Sequence, residues 1–285
     1  MRFLNLRRKE ALTGLAYAAI PIVGFALFYI VPFIISIQRT FMRGGQWVGF
    51  YHYNSVLASE AFRLAAWNTF RFIGIGVPLL MLIALAAALV LNTNIRGKDG
   101  FRAAFVLPMV LPAAAVIMFW RVLFDRGGFI NYVIDRLGFE TVHFFNSNAM
   151  FWIILALFIW KNVGFAIIII TAGLAQIPKE YTEAALVDGA NAWLRLRKIT
   201  LPLLAPTFVF VAILSIVGAF RSFREAFALG GAFPHNSIYM MQHFIQNNFD
   251  RMNLPRLSVA AVLTFIVIFA CVLVMFAWPE EADAE

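Results

Sequence analysis

Six apolar runs set the terms for this chain, because each is long enough to cross about 30 Å of hydrocarbon, a distance that takes roughly 20 helical residues. They lie at about Gly14 to Ile37, Thr69 to Leu91, Ala103 to Phe124, Ala149 to Leu174, Leu203 to Phe220 and Leu257 to Trp278. The expected fold class is therefore all-α: a polytopic membrane protein with six transmembrane helices. Composition agrees, since 62% of the 285 residues are hydrophobic and only 13% are charged, far outside the range of a soluble domain. A formal charge of +8 would suit nucleic acid in a soluble protein. In a membrane chain basic residues mostly set orientation, and with no basic aromatic patch, nucleic acid is not an expected partner. Cys271 is the single cysteine, which excludes an intrachain disulfide.

Arg7, Arg8 and Lys9 precede the first run, as in a signal peptide. The run is too long for a signal core and no small-residue cleavage site follows, so it is read as a spanning helix. Lys and Arg totals on the two sides are close. Lys9, Lys98, Lys179 and Lys198 nonetheless fall on one side, which has the shorter loops and the amino-terminal cluster. The positive-inside rule then predicts both termini in the cytoplasm. The expected organisation is a cytoplasmic amino terminus at 1–13, a six-helix domain at 14–278 and a cytoplasmic tail at 279–285, with the elaborate loop 178–202 also cytoplasmic.

That loop reads "PKEYTEAALVDGANAWLRLRKITLP". Pro178 suits a first helical turn, Glu180 and Glu183 sit near the positive end of the helix, and Gly189 supplies a left-handed stop. Asn191 can cap a second short helix, Trp193 to Ile199, whose Arg195, Arg197 and Lys198 suit its carboxyl end. Ala184 and Ala185 leave a smooth surface beside the Glu183 charge, a shape that lets another protein's backbone approach closely. The plainer reading is a solvated amphipathic loop at the membrane surface.

Glu183, Ala184 and Ala185, then three residues to Gly189, then nine to Ile199, and finally Leu201 and Pro202, match the fixed positions of the EAA signature; Asp188 stands directly before the glycine. With "NTFRFIGIGVPLLMLIALAAALVLNT" and "IWKNVGFAIIIITAGLAQIPKEYTEAALVDGA", the chain resembles permeases of binding-protein-dependent ABC importers, in particular the carbohydrate-uptake class. The resemblance implies that the EAA loop is a coupling helix docked on a separate ATP-binding subunit. It also implies a second permease subunit, two ATP-binding subunits, an extracytoplasmic solute-binding protein and, as for any such chain, membrane lipid. No cofactor is expected on this chain, with ATP and Mg bound by the partner ATPases. No Gly-x4-Gly-Lys-Ser/Thr loop occurs in the sequence, so it has no phosphate cradle of that kind. In place of the Gly-Gly-Pro turn of many relatives the sequence reads "LGGAFPHNS" at 229–237, with the proline displaced by two residues.

Ionisable residues within spans are costly and mark function by default. Lys161 lies ten residues in from Phe151, about 15 Å deep at 1.5 Å per residue. Trp160, Lys161 and Asn162 are the expected substrate pathway, offering an aromatic face and hydrogen bonds; the plainer reading is a lysine paired within the bundle. Arg221, Arg224 and Glu225 are read as an interfacial cluster. Pro108 and Pro112 would kink the third span, around a cavity or simply as structure. The transported solute is expected to be a disaccharide or oligosaccharide, with glycerol phosphate or an acidic sugar as the alternative. An ion-driven secondary transporter is the rival class. An enzyme is not expected, for there is no His-Glu-x-x-His and no Gly-x-Ser-x-Gly, and His52, His143, His235 and His243 are scattered over outer loops.

Overall fold

The computed structural model describes residues 2–93 and 96–282. Met1, residues 94–95 between the second and third spans and the tail end at 283–285 lie outside them. Helix α1 (Arg2–Phe25) passes through one π turn at Ala26–Ile30 into α2 (Val31–Thr40). That wide turn is the sequence's answer to Pro32, which has no N–H to return to the preceding turn. The Val31 amide accordingly reaches back five residues to the Ala26 carbonyl.

A two-residue hairpin follows, β1 (Met42–Arg43) and β2 (Gln46–Trp47), with Met42 opposite Trp47. These are the only strands among the described residues. A short helix α3 (Tyr51–Leu57) leads into α4 (Glu60–Leu91), the second span.

The third span departs from expectation. Instead of one helix over 103–124 there are two, α5 (Lys98–Val110) and α6 (Ala113–Phe124), and the apolar stretches they belong to meet at 96°. Pro112 explains the break, because the residue before a proline is pushed out of the helical region. Leu111 is indeed extended, at φ −66 and ψ 138. Five helices are individually long and apolar enough to cross a membrane, and this bent pair supplies a sixth crossing when its halves are taken together.

After α7 (Phe129–Arg136) the chain enters α8 (Ala149–Gln176), the best-buried span and the one without a proline. Its neighbours come close because glycine permits it. A Cβ on Gly164 would overlap the Phe105 carbonyl, so α5 lies backbone to backbone against α8. Phe72, Leu80, Ile154, Leu157, Phe158 and Ile170 form the centre of the core between α4 and α8.

At the end opposite the 178–202 loop, segment 236–241 is pinned to α4. The Asn68 side-chain amide donates to the Asn236 carbonyl (2.6 Å) and the Tyr239 carbonyl (3.0 Å), Arg71 donates to the Ser237 carbonyl (3.0 Å), and the Met241 amide donates to the Thr69 hydroxyl (2.8 Å). Helix α14 (Met241–Asp250), which comes after α13 (Phe223–Gly230) in the chain, seats His243 with no solvent exposure against the Phe223 ring. Its Nδ1 accepts the Met240 amide, and burial lowers the imidazole pKa to about 4. The last span, α15 (Leu254–Ala282), packs against α2 and α14.

Candidate functional site

The loop quoted above folds as an elbow. Helix α9 (Lys179–Val187) starts after Pro178 and is closed by a two-bond glycine cap. The Ala190 amide donates to the Ala185 carbonyl (2.8 Å) and the Gly189 amide to the Leu186 carbonyl (3.1 Å). This is the Schellman pairing, which needs a left-handed residue at the turn, and Gly189 has φ +78. Asn191 then caps the next helix, its side-chain oxygen accepting the Leu194 amide at 2.8 Å. Arg195 ties the far side of the turn to the Ala190 carbonyl at 2.7 Å.

The second helix differs from the sequence expectation. It is not a free-standing helix over 193–199. It runs α10 (Ala192–Arg195), a π turn at Leu196–Thr200, then α11 (Leu201–Leu203) into α12 (Ala205–Arg221), the fifth span. The reason is again a proline: Pro202 cannot donate, and the Leu201 amide bonds five residues back to Leu196. Of the signature residues, Glu183, Ala184, Asp188, Gly189 and Pro202 are exposed, while Ala185, Ile199 and Leu201 are half-buried. The elbow also exposes apolar side chains, with Val187 at 88% and Trp193 at 67% exposure.

Trp160, Lys161 and Asn162 are consecutive on α8, so their side chains fan about 100° apart. Trp160 packs against Trp120 of α6, ring centroids 6.1 Å apart. Lys161 pairs with Glu225 of α13. Asn162 donates to the Phe158 carbonyl (2.7 Å) and lies against Gly218 of α12. The three do not share one face; they occupy the place where α6, α12 and α13 converge on α8. Two buried polar atoms there have no hydrogen-bond partner among the described residues, Glu225 Oε2 and Trp120 Nε1.

Glu225 thus leaves the interfacial cluster in which it was expected. It is 3% exposed, whereas Arg221 and Arg224 remain exposed. The pairing was within reach of the sequence: Lys161 is a lone cation deep in a span, and Glu225 is the nearest acidic residue at the end of another. Neutralisation is the usual condition for a charge at such depth. No grouping of His, Cys, Asp or Glu among the described residues could hold a metal ion.

Five to six apolar spans with an exposed, capped elbow between the fourth and fifth define a polytopic helical membrane protein. Residues 80–279 match the family described as "Binding-protein-dependent transport system inner membrane component", and the chain belongs to it. It is 29% identical over 279 residues to the trehalose/maltose transport system permease protein MalF of Thermococcus litoralis, covering 95% of this chain and 94% of that one. It is 33% identical over 222 residues to the arabinooligosaccharides transport system permease protein AraP of Bacillus subtilis, covering 73% and 69%. The fold matches a bacterial ABC transporter involved in the import of the acidic polysaccharide alginate, with TM-score 0.80 at 22% identity over 97% of this chain and 99% of that one. As an ABC permease the chain sits in the inner membrane, carries no cofactor, and leaves ATP to partner subunits. Family membership displaces the ion-driven carrier that six spans alone would allow.

Proposed function

We propose that this chain is one of two permease subunits that together carry a neutral disaccharide or oligosaccharide into the cell by alternating access. Loop 178–202 serves as the contact through which two ATP-binding subunits drive the change. The observation that carries this reading is the elbow itself: a capped, braced turn that presents Glu183 beside two alanines, with apolar side chains left uncovered by the rest of the chain. A solvated surface loop has no need of the Schellman pair, the Asn191 cap and the Arg195 brace together. In this reading both termini and the elbow are cytoplasmic, and an extracytoplasmic binding protein delivers the solute.

Switching a two-state population from 1:99 to 99:1 takes about 5.5 kcal/mol of differential interaction. A compliant loop would dissipate a difference of that size, and a braced one transmits it. Trp160, Lys161 and Asn162 lie on the solute's route. Saccharide-importing relatives support the substrate class. The Lys161–Glu225 pair leaves no net charge at that depth, which favours a neutral saccharide over glycerol phosphate or an acidic sugar.

The test is uptake together with ATP hydrolysis in the assembled importer. Glu183→Lys or Gly189→Asp should abolish uptake and uncouple or release the ATPase while all spans remain inserted. Full uptake with either change would defeat the coupling role. Trp160→Ala and Lys161→Ala should weaken the apparent affinity for solute, and unchanged affinity in an intact assembly would remove those residues from the route.

A further inference from the structure

A cavity of about 380 Å³ lies between the second, fifth and sixth spans and is half-enclosed. Its wall is formed by Phe62, Phe70 and Gly74 of α4, Ile216 and Phe220 of α12, and Cys271 of α15. From Phe62 to Gly74 it follows α4 for twelve residues, about 18 Å at 1.5 Å per residue. The space is therefore long and thin, and it runs along the helices.

Its chemistry excludes the transported solute. Two hydroxyls line it, Thr69 and Thr264, and both donate within their own helices, to the Ala65 carbonyl (2.8 Å) and the Ala260 carbonyl (2.7 Å). Thr69 also accepts the Met241 amide. A saccharide's many hydroxyls would find only the spare lone pairs of these two threonines there. A transmembrane helix does not fit inside it whole: a cylinder about 10 Å across and 18 Å long occupies roughly 1,400 Å³, more than the empty space of about 1,030 Å³ here.

One polar feature marks the end away from the elbow. Leu57 lines the cavity there, and its carbonyl accepts the Arg63 Nε–H at 2.9 Å. Arg63 is exposed and has no carboxylate partner among the described residues. That bond ties Arg63 to a residue of the cavity wall and leaves its outer guanidinium nitrogens free, a fork that matches a phosphate, one residue along α4 from the lining Phe62. An apolar slot parallel to the membrane normal with an arginine at its end has the polarity of a phospholipid.

We propose that this cavity holds one acyl chain of a membrane phospholipid, from the leaflet on the side away from the elbow, with the lipid phosphate on Arg63. Burial of a chain here removes apolar surface that would otherwise face a void between three spans, and the Arg63–phosphate contact gives the guest its position. Gly74 makes the claim testable, because a side chain added there meets no atom within 4 Å and its backbone is ordinary helix. A larger residue would extend from there into the slot.

The experiment uses the assembled importer extracted in mild detergent, washed free of loosely held lipid and weighed by native mass spectrometry. The wild-type assembly should retain a phospholipid that Gly74→Phe loses, and Arg63→Gln should lower retention at least several-fold with the slot left open. Equal retention by all three proteins would overturn the proposal. Should Gly74→Phe fail to assemble, Gly74→Leu and Arg63→Gln decide the matter alone. In parallel, a short photoactivatable maleimide on Cys271 is irradiated in proteoliposomes and the peptide of this chain bearing it is analysed. A phospholipid adduct supports the proposal. An adduct with the second permease in place of lipid would mean that protein fills the slot, and would overturn it.

Discussion

Glu225→Ala is the sharpest available test of how the middle of this bundle is tied to the end away from the elbow. The substitution removes the partner of Lys161 and leaves a cation whose side chain is only 20% exposed facing a carboxylate's vacated place. Breaking a buried pair from one side costs about 3–5 kcal/mol, because the remaining charge has no compensation. The lower figure is appropriate here, since Lys161 keeps some access to water. At about 3 kcal/mol the folded-to-unfolded ratio falls by roughly 150-fold. Removing both ends, as in Lys161→Met with Glu225→Leu, should recover most of that loss, since a buried ion pair replaced by apolar groups is often neutral. The assay is reversible unfolding in mixed micelles of the wild type and Glu225→Ala, and of Lys161→Met, Glu225→Leu and their double variant, which with the wild type form a double-mutant cycle. A coupling energy of about 2 kcal/mol or more is expected. A Glu225→Ala loss within about 0.5 kcal/mol of zero, or a double variant no better than the worse single one, would refute the pairing as a structural tie.

Three further outcomes follow from individual residues. Gly189→Val should cost about 1–2 kcal/mol from its left-handed backbone alone, and Gly189→Asn clearly less; uptake rates of the two should rank in that order. Gly164→Ala should push α5 from α8, seen as a large loss of assembled importer, whereas Gly74→Ala, which meets nothing, should assemble normally. His243 is neutral when buried and has a pKa of about 4, below its unfolded value. The folded state therefore binds fewer protons between pH 6.5 and 4, and stability should fall as pH drops through that window, by about 2–3 kcal/mol at pH 4.5. His243→Gln should flatten the profile, as measured by thermal unfolding at a series of pH values.

The spans and the elbow were legible because both rest on local signals: unbroken apolar length, and a glycine flanked by capping residues. Pro112 was also visible, but a proline announces only that a helix is disturbed. The size of the bend, 96°, and the seat of α5 against α8 at Gly164 involve segments distant in sequence. The second elbow helix was misread for a related reason. Its polar residues looked like an end, yet the π turn lets the helix continue past Pro202 into the membrane. Lys161 carried a plain warning in its depth, while its partner sat 64 residues away on a helix whose end looked solvent-facing. Sequence reasoning placed Glu225 by its neighbours Arg221 and Arg224 and missed that Arg224 and Glu225, adjacent on α13, face opposite surroundings, one exposed and one buried.

Helix α8, with no proline and 28 residues, is a strut about 42 Å long. One end is joined to the elbow through Ile177 and Pro178, and midway along it Lys161 is strapped to α13. A strut has no hinge in which to absorb a push. Displacement of its foot must tilt or slide the whole length, dragging the strapped helix along and reshaping the far mouth in the same stroke.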